Sequence, residues 1–99
     1  MLFPVGKVTI SSAVLMSRIT AQDLISAFSQ YIHGHWGDSG PSRDIKNDLA
    51  LTDGSQIIAT YRSQEGVEFC ICTHSGRTVI QLADELKVTS DMMLRNMID

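Results

Sequence analysis

The stretch SQIIATYRSQEGVEFCICTHSGRTVIQLA, residues 55–83, constrains the fold more than any other part of the chain. Three segments within it, 55–63, 67–74 and 77–83, are rich in Ile, Val, Thr and aromatic residues, which suit a pleated, half-buried surface. They are separated by Gln64-Glu65-Gly66 and by Ser75-Gly76, connections so short that each strand must turn back on the one before it. The sequence therefore predicts an antiparallel meander. Alternation along the strands predicts one face set against helices and the other open to water.

Upstream the apolar period changes. In TAQDLISAFSQYIHG (20–34), Leu24, Ile25, Phe28, Tyr31 and Ile32 form one stripe at helical spacing. Thr20 and Asp23 have the spacing of a capping box, and Gly34 stands where a left-handed residue ends a helix. SRDIKNDLALTDG (42–54) predicts a second helix, with Ser42 as its N-cap, Ile45, Leu49 and Leu51 as a thin apolar edge, and Asp53-Gly54 at its end. Asn47 and Asp48 then fall on its solvated side. SSAVLMSR (11–18) is too short to distinguish helix from strand by pattern, though Ser11 or Ser12 can cap a helix there. GKVTIS (6–11) reads as a short strand or an extended arm. In the tail, 90–99, Met93, Leu94 and Met97 have the spacing of a short helix, the alternative being a frayed end.

The expected fold is a single α+β domain over 1–99. Two helices, or three, pack on one face of a three- to four-stranded antiparallel sheet. Ninety-nine residues suffice for one hydrophobic core. Eight Lys and Arg against eleven Asp and Glu give a formal charge of −3, which supplies no drive toward nucleic acid or an anionic membrane. No apolar run reaches the ~20 residues of a membrane span, and MLFPVGKVTISS lacks the basic start and continuous apolar run of a signal peptide. The expectation is a cytoplasmic protein with reduced Cys70 and Cys72.

HGHWGDSGPS (33–42) crowds two histidines, the single tryptophan and an aspartate between glycines. His33 suits the negative end of a helix dipole, Trp36 suits a loop anchor whose indole N–H reaches a carbonyl, and Asp38 suits a turn. His35 is left without a structural task. Cys70, Cys72 and His74 alternate onto one strand face, as zinc ligands would, although small core hydrophobes would alternate there too. Arg62, Arg77 and Thr78 lie on or beside neighbouring strands. Arginines near a histidine suit a phosphate, and strand-end arginines equally pair with carboxylates such as Glu65 or Glu68.

FPVGKV near the start, HGHWGD after the first long helix, NDLAL with a following glycine, and the strand run from IIATYRS to TVIQL together resemble a family of small plasmid- and mobile-element-associated bacterial proteins. Its members read H-x-x-G-D-W-G-D, then N-D-x-A-L-x-x-G, then a strand pair ending I-T-E-x-D-R-S-x-T-T. The resemblance covers about residues 3 to 85. His35 stands where that pattern has aspartate, His74 replaces a glutamate, and the loop before Arg77 is shorter. The resemblance implies a mobile-element setting and brings no activity with it, so no catalytic residue is carried over.

Two functions from different classes follow. The first is a non-enzymatic accessory protein that binds another protein through Trp36, His35 and Asp38 or through the outer sheet face, without a cofactor. The second is a metal-independent ribonuclease-like toxin, with His35 and His74 as base and acid, Arg62 and Arg77 on the phosphate, and Thr78 orienting the 2′-hydroxyl. A zinc module built on Cys70, Cys72 and His74 is a third reading. An exposed sheet edge would let copies of the chain pair.

Overall fold

The structure, a computed structural model, describes residues 2–86, so the tail segment 90–99 lies outside the described residues. The elements run β1 (Lys7–Ile10), α1 (Ser12–Leu15), α2 (Ala21–Ile32), α3 (Pro41–Asp53), β2 (Ile57–Arg62), β3 (Glu68–His74) and β4 (Arg77–Leu82). Residues 83–86 are again helical, so four helical segments occur among the described residues rather than two or three.

The predicted meander is present. β2 pairs with β3, and β3 with β4, both antiparallel. The β3–β4 turn places Ser75 and Gly76 at φ 52° and 77°, the positive pair that a two-residue hairpin matching the twist of its strands requires. The sheet as a whole is mixed, because β1 lies parallel to β4 in the order β1-β4-β3-β2. A parallel pair needs a long crossover, and here all the chain between Ile10 and Arg77 supplies it. That pairing joins segments far apart in sequence, so no local pattern announces it.

Local chemistry sets the helix starts. Thr20 accepts the Asp23 N–H through Oγ1 at 3.1 Å, and the Asp23 carboxylate accepts the Thr20 N–H at 3.0 Å, closing the predicted capping box of α2. Ser11 caps α1 by accepting the Val14 N–H. α3 departs from expectation: its N-cap is Gly40, with Pro41 rather than Ser42 beginning the helix. A proline has the φ of a first-turn residue and lacks an N–H that would go unused there.

The side chains that α2 and α3 bury also differ from the predicted stripes. α2 buries Ala27 and Tyr31 fully, whereas Ile25 is 63% exposed. α3 buries Asn47 and Ala50, while Ile45 and Leu49 point outward. Cross-strand register places Ile57, Ala59, Tyr61, Phe69, Ile71 and Ile80 on one sheet face, where they form the core with Tyr31 and Trp36. The opposite face is not open to water at its centre, since Cys70 and Cys72 are buried there as well.

Buried hydroxyls tie the core to the amino-terminal segment. The Tyr31 hydroxyl donates to Thr73 Oγ1 at 2.6 Å, and Thr78 Oγ1 donates to the Val5 carbonyl at 2.6 Å. The Thr73 and Thr78 hydroxyls are 2.7 Å apart, so the Thr73 proton completes a one-way relay toward Thr78. Thr78→Val keeps the shape but strands both the Thr73 proton and the Val5 carbonyl, at about 1–3 kcal/mol for an unsatisfied buried group. Tyr31→Phe removes one donor and leaves the rest paired, for about 1 kcal/mol. Urea unfolding of the two variants is expected to rank Thr78→Val as the more damaging, and the reverse order would break the relay as described.

Candidate functional site

The loop after α2 is built against the outer edge of β2. Gly34, at φ 79°, ends the helix as expected, and the His33 ring lies 2.7 Å through Nδ1 from the Ser29 carbonyl. Trp36 is 5% exposed, in edge contact with Tyr31 at 5.6 Å between ring centres. Its indole N–H donates to the Asp48 carboxylate at 2.9 Å rather than to a carbonyl. Gly37, at φ 67°, passes so close to β2 that a Cβ would stand 2.4 Å from the Thr60 carbonyl oxygen. This approach brings the Asp38 N–H onto that carbonyl at 2.7 Å and the Ser39 hydroxyl onto the Thr60 N–H at 2.9 Å.

Helix α3 continues the same edge. Asn47, fully buried, accepts the Ile58 N–H at 3.1 Å and donates to the Ile58 carbonyl at 2.8 Å. Its carboxamide thus presents one acceptor and one donor to a strand, as a neighbouring peptide unit would. Arg43 donates to the Gln56 carbonyl at 3.1 Å. The outward groups of Ile58 and Thr60 and the Gln56 carbonyl are therefore met by side chains and loop backbone in place of another strand. Asn47 does not lie on a solvated face as the helix pattern predicts. Asp48 is exposed yet holds the indole.

The candidate catalytic residues do not gather at one place. His74 pairs in register with Arg77, which faces Lys7 across β1, at the turn end of β3. Arg62 forms an exposed ion pair with Glu68 at 2.8 Å, at the opposite end of the same strand. Six residues of extended chain separate those ends, roughly 20 Å at ~3.3 Å per residue. Thr78 is fully buried with its hydroxyl spent in the relay, so it cannot meet a 2′-hydroxyl. His35 is exposed, and its carbonyl accepts the Tyr61 hydroxyl at 2.7 Å.

Cys70 and Cys72 share a face with His74, yet among the described residues no three His, Cys, Asp or Glu side chains are grouped to hold a metal ion. Burial pushes the Cys72 thiol up to about 12, with the neighbouring Cys70 adding to the shift. Burial also raises the Cys70 thiol, against a weaker opposing contact 3.6 Å from the Thr60 hydroxyl. Both are thus kept as thiols near neutrality, the wrong form for a ligand or nucleophile.

Two of the surface depressions among the described residues bear on function. A polar cleft of about 340 Å³ lies where Asp23, Gln30, Asp38, Arg62 and Gln64 meet. In it the Asp23 carboxyl is held below the usual carboxylate range, first by the Thr20 N–H and also by the Gln64 N–H, so it serves the fold. The other, about 510 Å³, is an apolar groove between β1 and α2, lined by Val8, Ile10, Leu24, Ile25, Phe28 and Ile32. β1 forms its rim as an edge strand with all four residues exposed. The Lys7 N–H donates to the Gly76 carbonyl just before β4 and the Ser11 N–H to the Ile80 carbonyl within it, so the backbone groups of Val8 and Ile10 alternate outward. No partner meets them among the described residues. Val8 and Ile10 are 41% and 40% exposed.

Thiol titration with a disulfide reagent at pH 8 checks the cysteine environment. Folded protein is expected to react only at its unfolding rate, and both thiols to react at once in denaturant. A fast-reacting thiol in the folded protein would contradict the burial of this face. No protein-family model matches the chain, and no curated protein or solved structure shows significant similarity to it.

Proposed function

We propose that the chain is a non-enzymatic binding protein, in the mobile-element setting that its sequence resemblance implies, and that it acts by taking up an extended segment of a protein partner along β1. The asymmetry between the two sheet edges carries this reading. The β2 edge is closed at the Gln56 carbonyl by Arg43, at both backbone groups of Ile58 by Asn47, and at both of Thr60 by Asp38 with Ser39. Among the described residues, none meets the outward donors and acceptors of Val8 and Ile10 on the β1 edge, which lie beside an apolar groove. An added strand draws affinity from main-chain hydrogen bonds and specificity from alternate side chains seated in such a groove.

The chemistry of the groove describes the segment it suits. Its lining is apolar, and α2 carries Asp23 as its single charged residue, so a strand whose groove-facing alternate residues are apolar fits best. The contact accordingly moves away from Trp36, whose indole is buried and bonded to Asp48. His35 and Asp38 sit on a loop engaged in closing β2. The ribonuclease reading gains no observation, because Arg62, His74 and Thr78 face different surroundings.

A random peptide library displayed against sparsely immobilised protein tests this reading, the sparse coating holding copies apart. Enriched peptides are expected to alternate apolar residues and to lose binding to Val8→Pro. Of the backbone groups, that substitution removes only an outward N–H, it trims one side chain of the groove, and proline is tolerated on edge strands. Its melting temperature is expected to stay near that of the native chain. No enrichment, or peptides that bind Val8→Pro equally well, would refute strand uptake at β1.

A further inference from the structure

We propose that a second copy of this chain occupies the β1 edge, with the two β1 strands antiparallel about a two-fold axis and Val8 facing Ile10 of the partner copy. This inference rests on the reading above that β1 takes up a strand. It commits to the occupant through the register of β1 itself.

The residues whose backbone groups point outward are Val8 and Ile10. An antiparallel ladder forms its hydrogen-bonded pairs between outward-pointing residues of both strands. With two identical strands, Val8 pairs with Ile10 of the other copy and Ile10 with Val8, each pair exchanging both backbone hydrogen bonds. The register closes on itself, as an isologous interface requires. Thr9 falls on the axis and meets its own counterpart, a threonine pair of the kind favoured across strands. Lys7 lies opposite Ser11, so the strand's one charged side chain does not meet its copy. A head-to-head register with Lys7 against Lys7 would carry that repulsion.

The groove supports the same arrangement. A two-fold axis normal to the sheet keeps both α2 helices on one side, so the two apolar grooves join across the axis. Ile25, the exposed member of the α2 stripe, then has apolar surface to meet. Beyond Asp23, α2 carries no charged residue, its exposed polar side chains being Ser26, Ser29 and Gln30, so charge does not hold the helices apart. The strand, Lys-Val-Thr-Ile, is short and carries one lysine at its first position, both devices that blunt an edge, but it has no proline or inward-pointing charge between Val8 and Ile10.

Cysteine placed on the axis tests the register directly. Residues facing each other in a non-hydrogen-bonded pair have Cα atoms about 4.5 Å apart, inside the ~4.4–6.8 Å that a disulfide spans. Thr9→Cys is expected to form an oxidised dimer on a non-reducing gel, and Lys7→Cys, opposite Ser11, is expected not to. The native cysteines are buried and add no background. Sedimentation of the native chain should show a concentration-dependent dimer that Val8→Pro abolishes. A native chain monomeric at all concentrations, with Thr9→Cys cross-linking no faster than Lys7→Cys, would overturn the proposal. If library peptides still bound in that case, the occupant alone would fall and strand uptake would stand. A dimer that survived Val8→Pro would also overturn it, by placing the copies on another surface.

Discussion

The paired hydrogen bonds between the Asn47 carboxamide and the backbone of Ile58 are the interaction on which the arrangement of this small sheet depends. A four-stranded open sheet has two edges, and each presents unpaired amides and carbonyls that water or another chain must satisfy. At β2 the molecule satisfies them internally. Asn47 imitates a strand neighbour at its centre, Ser39 and Asp38 extend the imitation at Thr60, and Arg43 extends it at Gln56. The helix that bears Asn47 is thereby held along the strand rather than free to slide across the sheet. A buried amide with both its groups paired tolerates little displacement, since each broken bond leaves a polar group without water.

The glycine-rich loop follows from that closure. For the chain to leave α2 and reach the β2 edge it must turn sharply at Gly34, seat Trp36 against Tyr31 and pass Gly37 within contact of Thr60. A side chain at residue 37 would occupy the space of the Thr60 carbonyl. The indole then reaches Asp48, the residue next to Asn47, so the loop and the helix brace each other through adjacent positions. The features of the loop that first suggest chemistry are thereby explained by packing and edge closure, except the exposed imidazole of His35.

What was legible in the sequence and what was not divides along sequence separation. The β2–β3–β4 meander, the Thr20–Asp23 box and the helix end at Gly34 are local devices, readable from neighbouring residues. The β1–β4 pairing joins segments nearly the whole domain apart, and no period in either strand specifies a parallel neighbour. The face of α3 was misread for a different reason. Ile45 and Leu49 suggest an apolar edge, but the helix lies against backbone rather than an apolar sheet face, so it turns Asn47 and Ala50 inward. The one available signal was an asparagine three residues before an alanine on the otherwise polar side of that helix. For the site, single residues were legible as types, but their distribution to opposite ends of β3 depends on register, which spacing alone does not reveal.

Among the described residues, one edge is closed by side chains and loop backbone and the other is left open. Amide hydrogen exchange, followed residue by residue at a dilution that keeps the chain monomeric, tests it most directly. The account predicts that Ile58 and Thr60, on the outer edge of β2, exchange as slowly as the central strand β3, while Val8 and Ile10 exchange as freely as a solvated chain. Rapid exchange at Ile58, or protection of Val8 and Ile10 in the monomer, would contradict it.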